Sequence, residues 1–167
     1  ADVYLVGSGI DQVVLTETTA AVDTVLFTTA SDAATVVTGF AVNSDVLSFS
    51  GIATITGAEV ALAANALIND ATDGSVLVFA DGSDGTGAAT ITTYTDTTQV
   101  AAFMELSVDA AVNENFIAVV NDLIGDDVYI YKIANDGVAA IAAGEVTLIG
   151  VLNNIGSTAL DVNDITV

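Results

Sequence analysis

Short runs of β-branched and aromatic residues, separated by small polar residues, dominate the first third of the chain. Glycine, aspartate, asparagine and serine interrupt the runs at intervals of roughly 8–12 residues, which is the spacing of an all-β fold. The pattern predicts five strands, at residues 3–6, 13–15, 24–28, 35–37 and 46–49.

The pattern changes near residue 56. Thr56 and Glu59 have the spacing of a capping box, and the aliphatic residues that follow predict a helix over 61–68. A second helix is predicted over 97–106. The remaining segments predict strands at 76–79, 90–94 and 145–151, and a hairpin with arms at 116–120 and 128–133.

Alternation in the second arm of that hairpin predicts two differently directed faces. Tyr129, Tyr131 and Ile133 point one way, and the residues between them point the other. The chain as a whole is therefore predicted to be mainly β, β-sandwich or β-roll-like, with one or two short α-helices. It forms a single domain, 1–167, with two lobes: degenerate β-roll-like strands over 1–55, and a helix plus β-hairpin module over 56–167.

Charge changes this picture more than any motif. The chain has 22 acidic residues, one basic residue (Lys132) and no histidine, for a formal net charge of −21. A folded domain with this charge repels itself, so bound calcium or a salt-rich medium is expected to offset the repulsion.

Nucleic acid is excluded as a partner because phosphate binding needs clustered basic residues. No apolar run approaches the ~18 residues of a membrane span, so no membrane insertion is expected.

Composition also argues against catalysis. The chain has no cysteine and no histidine, which removes the usual nucleophile–base pairs and the commonest transition-metal ligands. Pairs of carboxylates, as in glycosidases, are abundant, but nothing singles out one pair. The sequence therefore predicts that the protein is not an enzyme.

Carboxylates in glycine-rich turns suit calcium, a hard cation that prefers oxygen ligands. The segment 6–14 nearly fits the nonapeptide Gly-Gly-x-Gly-x-Asp-x-apolar-x of parallel β-rolls, with Val6 in place of the first glycine. Other candidate clusters lie in the loop 81–87, in the hairpin turn 121–127, and around 135–145. Each cluster has a plain alternative, a solvated turn. The candidate metal ligands are Gly7, Gly9, Asp11, Asp81, Asp84, Asp122, Asp126, Asp127, Asn135, Asp136 and Glu145.

Three segments, 23–27, 35–40 and 44–52, together resemble the C-terminal segments of RTX-type calcium-binding proteins. The segments 116–122, 127–131 and 144–150 are similar to C-terminal modules of large secreted surface proteins, some of which form bacterial S-layers. The final residues 164–167 look like the uncleaved signal of type I secretion substrates. The resemblance implies an extracellular, cell-surface location and calcium ligands at Gly7, Gly9 and Asp11.

These observations favour a non-enzymatic structural protein that self-assembles at the cell surface with the help of Ca2+, as an S-layer or filament subunit. Its expected partners are copies of itself, as a homo-oligomer or polymer, and cell-surface polysaccharide. One alternative is a monomeric adhesive or carbohydrate-binding β-sandwich module. Another is a halophile's surface protein, whose acidity reflects salt rather than calcium sites.

Overall fold

The computed structural model describes residues 1–16, 21–28, 31–56, 59–62, 68–71, 73–83, 89–110, 114–135, 140–156 and 158–167. This part of the chain is mainly β with one α-helix, as predicted. The elements are β1 (Val3–Val6), β2 (Gln12–Val14), β3 (Thr24–Thr28), β4 (Thr35–Thr38), β5 (Val46–Gly51), β6 (Glu59–Leu62), β7 (Ile68–Ala71), β8 (Val76–Phe79), α1 (Thr97–Ser107), β9 (Val108–Ala110), β10 (Asn115–Asp122), β11 (Asp127–Ala134), β12 (Val146–Asn153) and β13 (Ile165–Thr166).

The first five strands form a parallel coil in which the chain passes back and forth between two sheets. Strands β1, β3 and β5 belong to a four-stranded sheet of order β1-β3-β5-β13, and β2 and β4 belong to a seven-stranded sheet. Val3 pairs with Thr24, 21 positions on, and Thr24 pairs with Val46, 22 positions on. The coil therefore has a structural repeat that the sequence does not display, because the residues within each turn differ.

The seven-stranded sheet has the order β2-β4-β12-β11-β10-β8-β6 and is buried on both faces at its centre. Its strands are parallel except β11, which forms the predicted antiparallel hairpin with β10 and pairs antiparallel with β12. One face packs on the four-stranded sheet and the other packs under α1. Residues Val128 and Ile130 enter the core between the sheets, whereas Tyr131 and Ile133 enter the core beneath the helix, as the alternation predicted.

The helix α1 crosses over from β8 to β10, the connection that two parallel neighbouring strands require. It begins at Asp96, whose carboxylate accepts a hydrogen bond of 2.9 Å from the Thr98 amide. Phe103 and Met104 are fully buried in the core beneath the helix. The prediction of a helix at 97–106 is confirmed.

Two secondary-structure predictions were wrong. Residues Glu59–Leu62 form β6, an edge strand parallel to β8, and Ile68 begins β7, so the predicted helix at 61–68 is incorrect at both ends. Residues 63–67 lie outside the described part. The alanine-rich sequence has high helix propensity, but pairing with a buried strand overrides it. The predicted strand at 90–94 is a turn that precedes α1, and only Thr90 makes a bridge, to Ser83.

Candidate functional site

The glycine–aspartate turn that resembles a β-roll motif connects β1 to β2. Asp11 Oδ2 accepts a hydrogen bond of 3.0 Å from the Gly7 amide, which closes the turn. Gly9 has a φ of 88°, a conformation that favours glycine. The next turn of the coil contributes Asp32, whose carboxylate accepts a hydrogen bond of 2.9 Å from the Gly9 amide. Asp32 was missed in the sequence because no glycine motif surrounds it.

A second set of carboxylates lies where the strands of the four-stranded sheet begin. Asp2, Asp23, Asp45 and Asp164 directly precede β1, β3, β5 and β13, and the last three are at least 97% buried. Asp23 accepts from the Asp2 amide at 2.7 Å, and Asp45 accepts from the Asp23 amide at 3.0 Å. We call these four residues the aspartate ladder. The carboxylates of Asp23, Asp45 and Asp164 accept hydrogen bonds from backbone amides and therefore have a structural role.

The structure brings Asp81 and Asp122 to the same small pocket. Strands β8 and β10 are parallel neighbours, so the loops that leave their carboxyl ends meet. The pocket has a volume of about 170 Å3, and its lining also includes the Tyr94 ring and the apolar residues Ile91 and Leu123. The sequence placed these two aspartates in separate clusters because nothing in it pairs β8 with β10.

A tyrosine pair lies beside this pocket. The rings of Tyr94 and Tyr129 stack with centroids 4.6 Å apart, and Tyr131, fully buried, donates a hydrogen bond of 2.7 Å to the Tyr94 carbonyl. Burial, with the nearby carboxylates of Asp122 and Asp81, raises the pKa of Tyr94 to about 12. The pKa of Tyr129 is also raised, by burial first. Both hydroxyls therefore remain neutral hydrogen-bonding groups at physiological pH.

The β10–β11 turn holds three of the predicted ligands, with Asp122 paired across the hairpin with Asp127. Asp122 Oδ1 accepts from the amides of Ile124 at 3.1 Å and Gly125 at 3.0 Å. Asp127 Oδ1 accepts at 2.8 Å from the Asn154 amide, in the segment after β12. These bonds fix the conformation of the turn.

The last predicted cluster lies at the opposite end of β11. Asn135 follows β11 and is buried, and Glu145 directly precedes β12, which pairs with β11. Glu145 accepts a hydrogen bond of 2.6 Å from the Ala142 amide, which caps a single 3₁₀ turn. Asp84 and Asp136 lie outside the described residues. Within the described ranges, no group of three or more acidic side chains converges as a metal site would.

In the described part of the chain, most carboxylates accept hydrogen bonds from backbone amides. At least 13 of the 22 acidic side chains accept such a hydrogen bond. They are Asp11, Asp23, Asp32, Asp45, Asp73, Asp81, Asp96, Glu105, Asp122, Asp127, Glu145, Asp161 and Asp164. A single amide hydrogen bond leaves other lone pairs of the carboxylate available, so this role is compatible with binding a cation.

The comparisons with known proteins add no family to these observations: no protein family, curated protein or solved structure matches the chain. Among the described residues, none of the helices has the length and apolar character needed to cross a bilayer.

Proposed function

We propose that this chain is a non-enzymatic, extracellular structural protein that assembles with copies of itself at the cell surface, as an S-layer or filament subunit, and that calcium promotes the assembly. The observation that carries the proposal is the open end of the coil. Strands β1 and β2 are the edge strands of the two sheets, and both lie at this end.

Both edge strands expose aliphatic side chains, although β2 has only three residues and each strand directly follows an aspartate. Their sequences, VYLV and QVV, contain no charged residue and no proline. Val3 is 69% exposed, Leu5 is 70% exposed and Val14 is 58% exposed. Natural proteins usually protect such edges with charges, bulges or very short strands, because unpaired backbone groups recruit another chain.

The edge strand at the far side of the four-stranded sheet, β13, has only two residues, of which Ile165 is buried. Absence of charge does not by itself distinguish β1 and β2, since β13 and several central strands also lack charged residues. What supports their use for association is that unpaired edges carry the exposed aliphatic side chains of Val3, Leu5 and Val14.

Calcium enters the proposal through charge. Two copies, each with a formal charge of −21, repel one another unless cations lie between or on them. The pocket shared by Asp81 and Asp122 supplies hard oxygen ligands for calcium. Bound calcium lowers the net charge of each copy and so permits the apolar edges to meet.

The test compares two single substitutions that add the same charge. Leu5→Lys places a cation on the β1 edge, whereas Leu106→Lys places one at an exposed position of α1. We expect wild type and Leu106→Lys to grow into large particles by light scattering when calcium is added, and to revert with chelator. Leu5→Lys should remain folded by circular dichroism and form short oligomers at most. A wild-type chain that stays monomeric at every calcium concentration would contradict the proposal.

The stacked Tyr94–Tyr129 pair favours a second candidate function, the binding of a cell-surface polysaccharide. Aromatic faces beside carboxylates and neutral hydroxyls are groups that can contact a sugar ring and its hydroxyls. This function is favoured over assembly if a monomeric chain binds neutral oligosaccharide and Tyr129→Ala abolishes the binding.

A further inference from the structure

The tip of the β10–β11 hairpin presents an apolar side chain to solvent. Ile124 is 99% exposed and its neighbour Leu123 is 49% exposed. Isoleucine is among the residue types most often buried, so full exposure on a projecting turn is unusual.

The tip is also rigid. The Asp122 carboxylate accepts from the backbone amides of Ile124 and Gly125, and the Asp126 carbonyl accepts a hydrogen bond of 2.9 Å from the Ile155 amide. A backbone held in one conformation loses little conformational entropy when it binds, so the turn is organised in advance for a contact.

A matching cavity lies at the other end of the same hairpin. It has a volume of about 190 Å3 and is lined mainly by apolar groups of Ile52, Ile55, Phe116 and Ile133. A cavity of about 150 Å3 already accepts a benzene-sized group, so there is room here for one branched aliphatic side chain.

Charge favours the pairing of tip and cavity. Apart from Asp122, which belongs to the proposed calcium pocket, the tip carries the carboxylates of Asp126 and Asp127. The cavity lining includes Lys132, which is the only basic side chain in the chain and donates a hydrogen bond of 3.0 Å to the Ser31 carbonyl. The Asp73 carboxylate accepts hydrogen bonds from Asn115 in the same lining, and Lys132 is the group there that attracts the acidic tip.

From these features we propose that the tip of one copy docks in the cavity of the next, with Ile124 as the inserted side chain. The inference rests on the proposed self-assembly and adds a surface to it. The tip pair Asp122–Asp127 and the cavity pair Asn115–Ala134 close opposite ends of the β10–β11 ladder. They are separated by roughly 23 Å at about 3.3 Å per residue, so one copy cannot satisfy both itself.

A contact between two different surfaces of this kind repeats from copy to copy without closing on itself. Tip-to-cavity docking therefore generates a linear row of subunits. The β1 and β2 edges supply a second, independent contact, and two contacts in different directions are what a two-dimensional lattice needs.

The test uses the full chain carrying Leu5→Lys, so that association through the coil edge is suppressed. In that background, Ile124→Asp disables the tip and leaves the cavity intact. Ala134→Glu places a carboxylate at an exposed position of the cavity lining and leaves the tip intact. Leu106→Asp, on the exposed side of α1, is the control for Ile124→Asp because it replaces an exposed aliphatic residue with the same charge.

Each disabled variant should be monomeric by sedimentation velocity in calcium buffer, whereas Leu106→Asp should form the same short oligomers as the background chain. Mixing the tip variant with the cavity variant should restore association but stop at a one-to-one complex, since only one working tip and one working cavity remain. We expect either substitution alone to weaken association at least about tenfold.

The outcomes separate the two proposals. Wild-type particle growth without a one-to-one complex would overturn tip-to-cavity docking and leave self-assembly standing. A one-to-one complex from a chain that never forms particles would support the docking and overturn the surface-layer function. Oligomers unaffected by Ile124→Asp would overturn the docking and assign the exposed tip to a partner other than this chain.

Discussion

At the scale of single residues, aspartate in this chain acts first as an acceptor for the backbone. The short side chain reaches amides of its own turn, as Asp11 does, or of the neighbouring strand, as Asp23 does. The high aspartate content therefore has a structural explanation that does not require a cation at every cluster. The calcium binding that we propose is therefore assigned to a particular pair of carboxylates, Asp81 and Asp122, and not to the composition as a whole.

The aspartate ladder allows a test of this role. Asp45 is 98% buried, and its two oxygens accept from the amides of Asp23 and Ala41. Asp45→Ala leaves both donors without this partner, and we expect the free energy of unfolding to fall by about 2–5 kcal/mol. Asp32→Ala, the control, removes the same charge from an exposed position and should cost less than about 1 kcal/mol. Urea denaturation measures both, and equal losses would show that net charge matters rather than the buried bonds.

At the scale of elements, the sequence predicted those helices and strands that depend on residues close together in the chain. The β10–β11 hairpin and the helix α1 were predictable because the alternation of the strands and the apolar face of the helix each lie within one short segment. The 21- and 22-residue spacing of the aspartate ladder could not be predicted. Each of its aspartates pairs with a residue in another turn of the coil, and the sequences of those turns differ. The Asp81–Asp122 pocket was missed for the same reason, since it depends on pairing between β8 and β10, across the intervening helix.

The close packing of the two sheets depends on Gly150. A Cβ at this position would lie 2.8 Å from the ring of Phe27, which stacks on Phe49 in the core between the sheets. Gly150→Ala should therefore destabilise the protein by about 1–3 kcal/mol through overpacking. Gly144→Ala is the control, because nothing lies within 4 Å of its Cβ position. Thermal unfolding compares the stabilities of the two variants. A Gly150→Ala protein as stable as wild type would mean that the sheets can move apart at this point with no loss of stability.

At the scale of the whole molecule, the question is whether its charge needs salt in general or calcium in particular. The two causes predict different dependences. Screening by monovalent salt shortens the Debye length to about 10 Å at 0.1 M and continues to act as salt increases. Binding at a site adds stability with the logarithm of the calcium concentration once the site is filled, and it distinguishes calcium from magnesium, which demands a stricter octahedral geometry.

We therefore expect calcium, at constant ionic strength, to raise the free energy of unfolding of the chain that carries both Leu5→Lys and Ile124→Asp, which is expected to be monomeric. The gain should grow with the logarithm of the calcium concentration above the dissociation constant. The gain should reach about 2.7 kcal/mol at a hundred times the dissociation constant. Magnesium should give less, and the paired substitution Asp81→Asn with Asp122→Asn should remove the calcium-specific part while keeping the response to NaCl, because it removes both carboxylates from the shared pocket. If molar NaCl alone reproduces the full gain in stability, the acidic composition is an adaptation to salt-rich water. Salt then screens the repulsion between copies, and the apolar edges and the hairpin tip drive assembly without calcium.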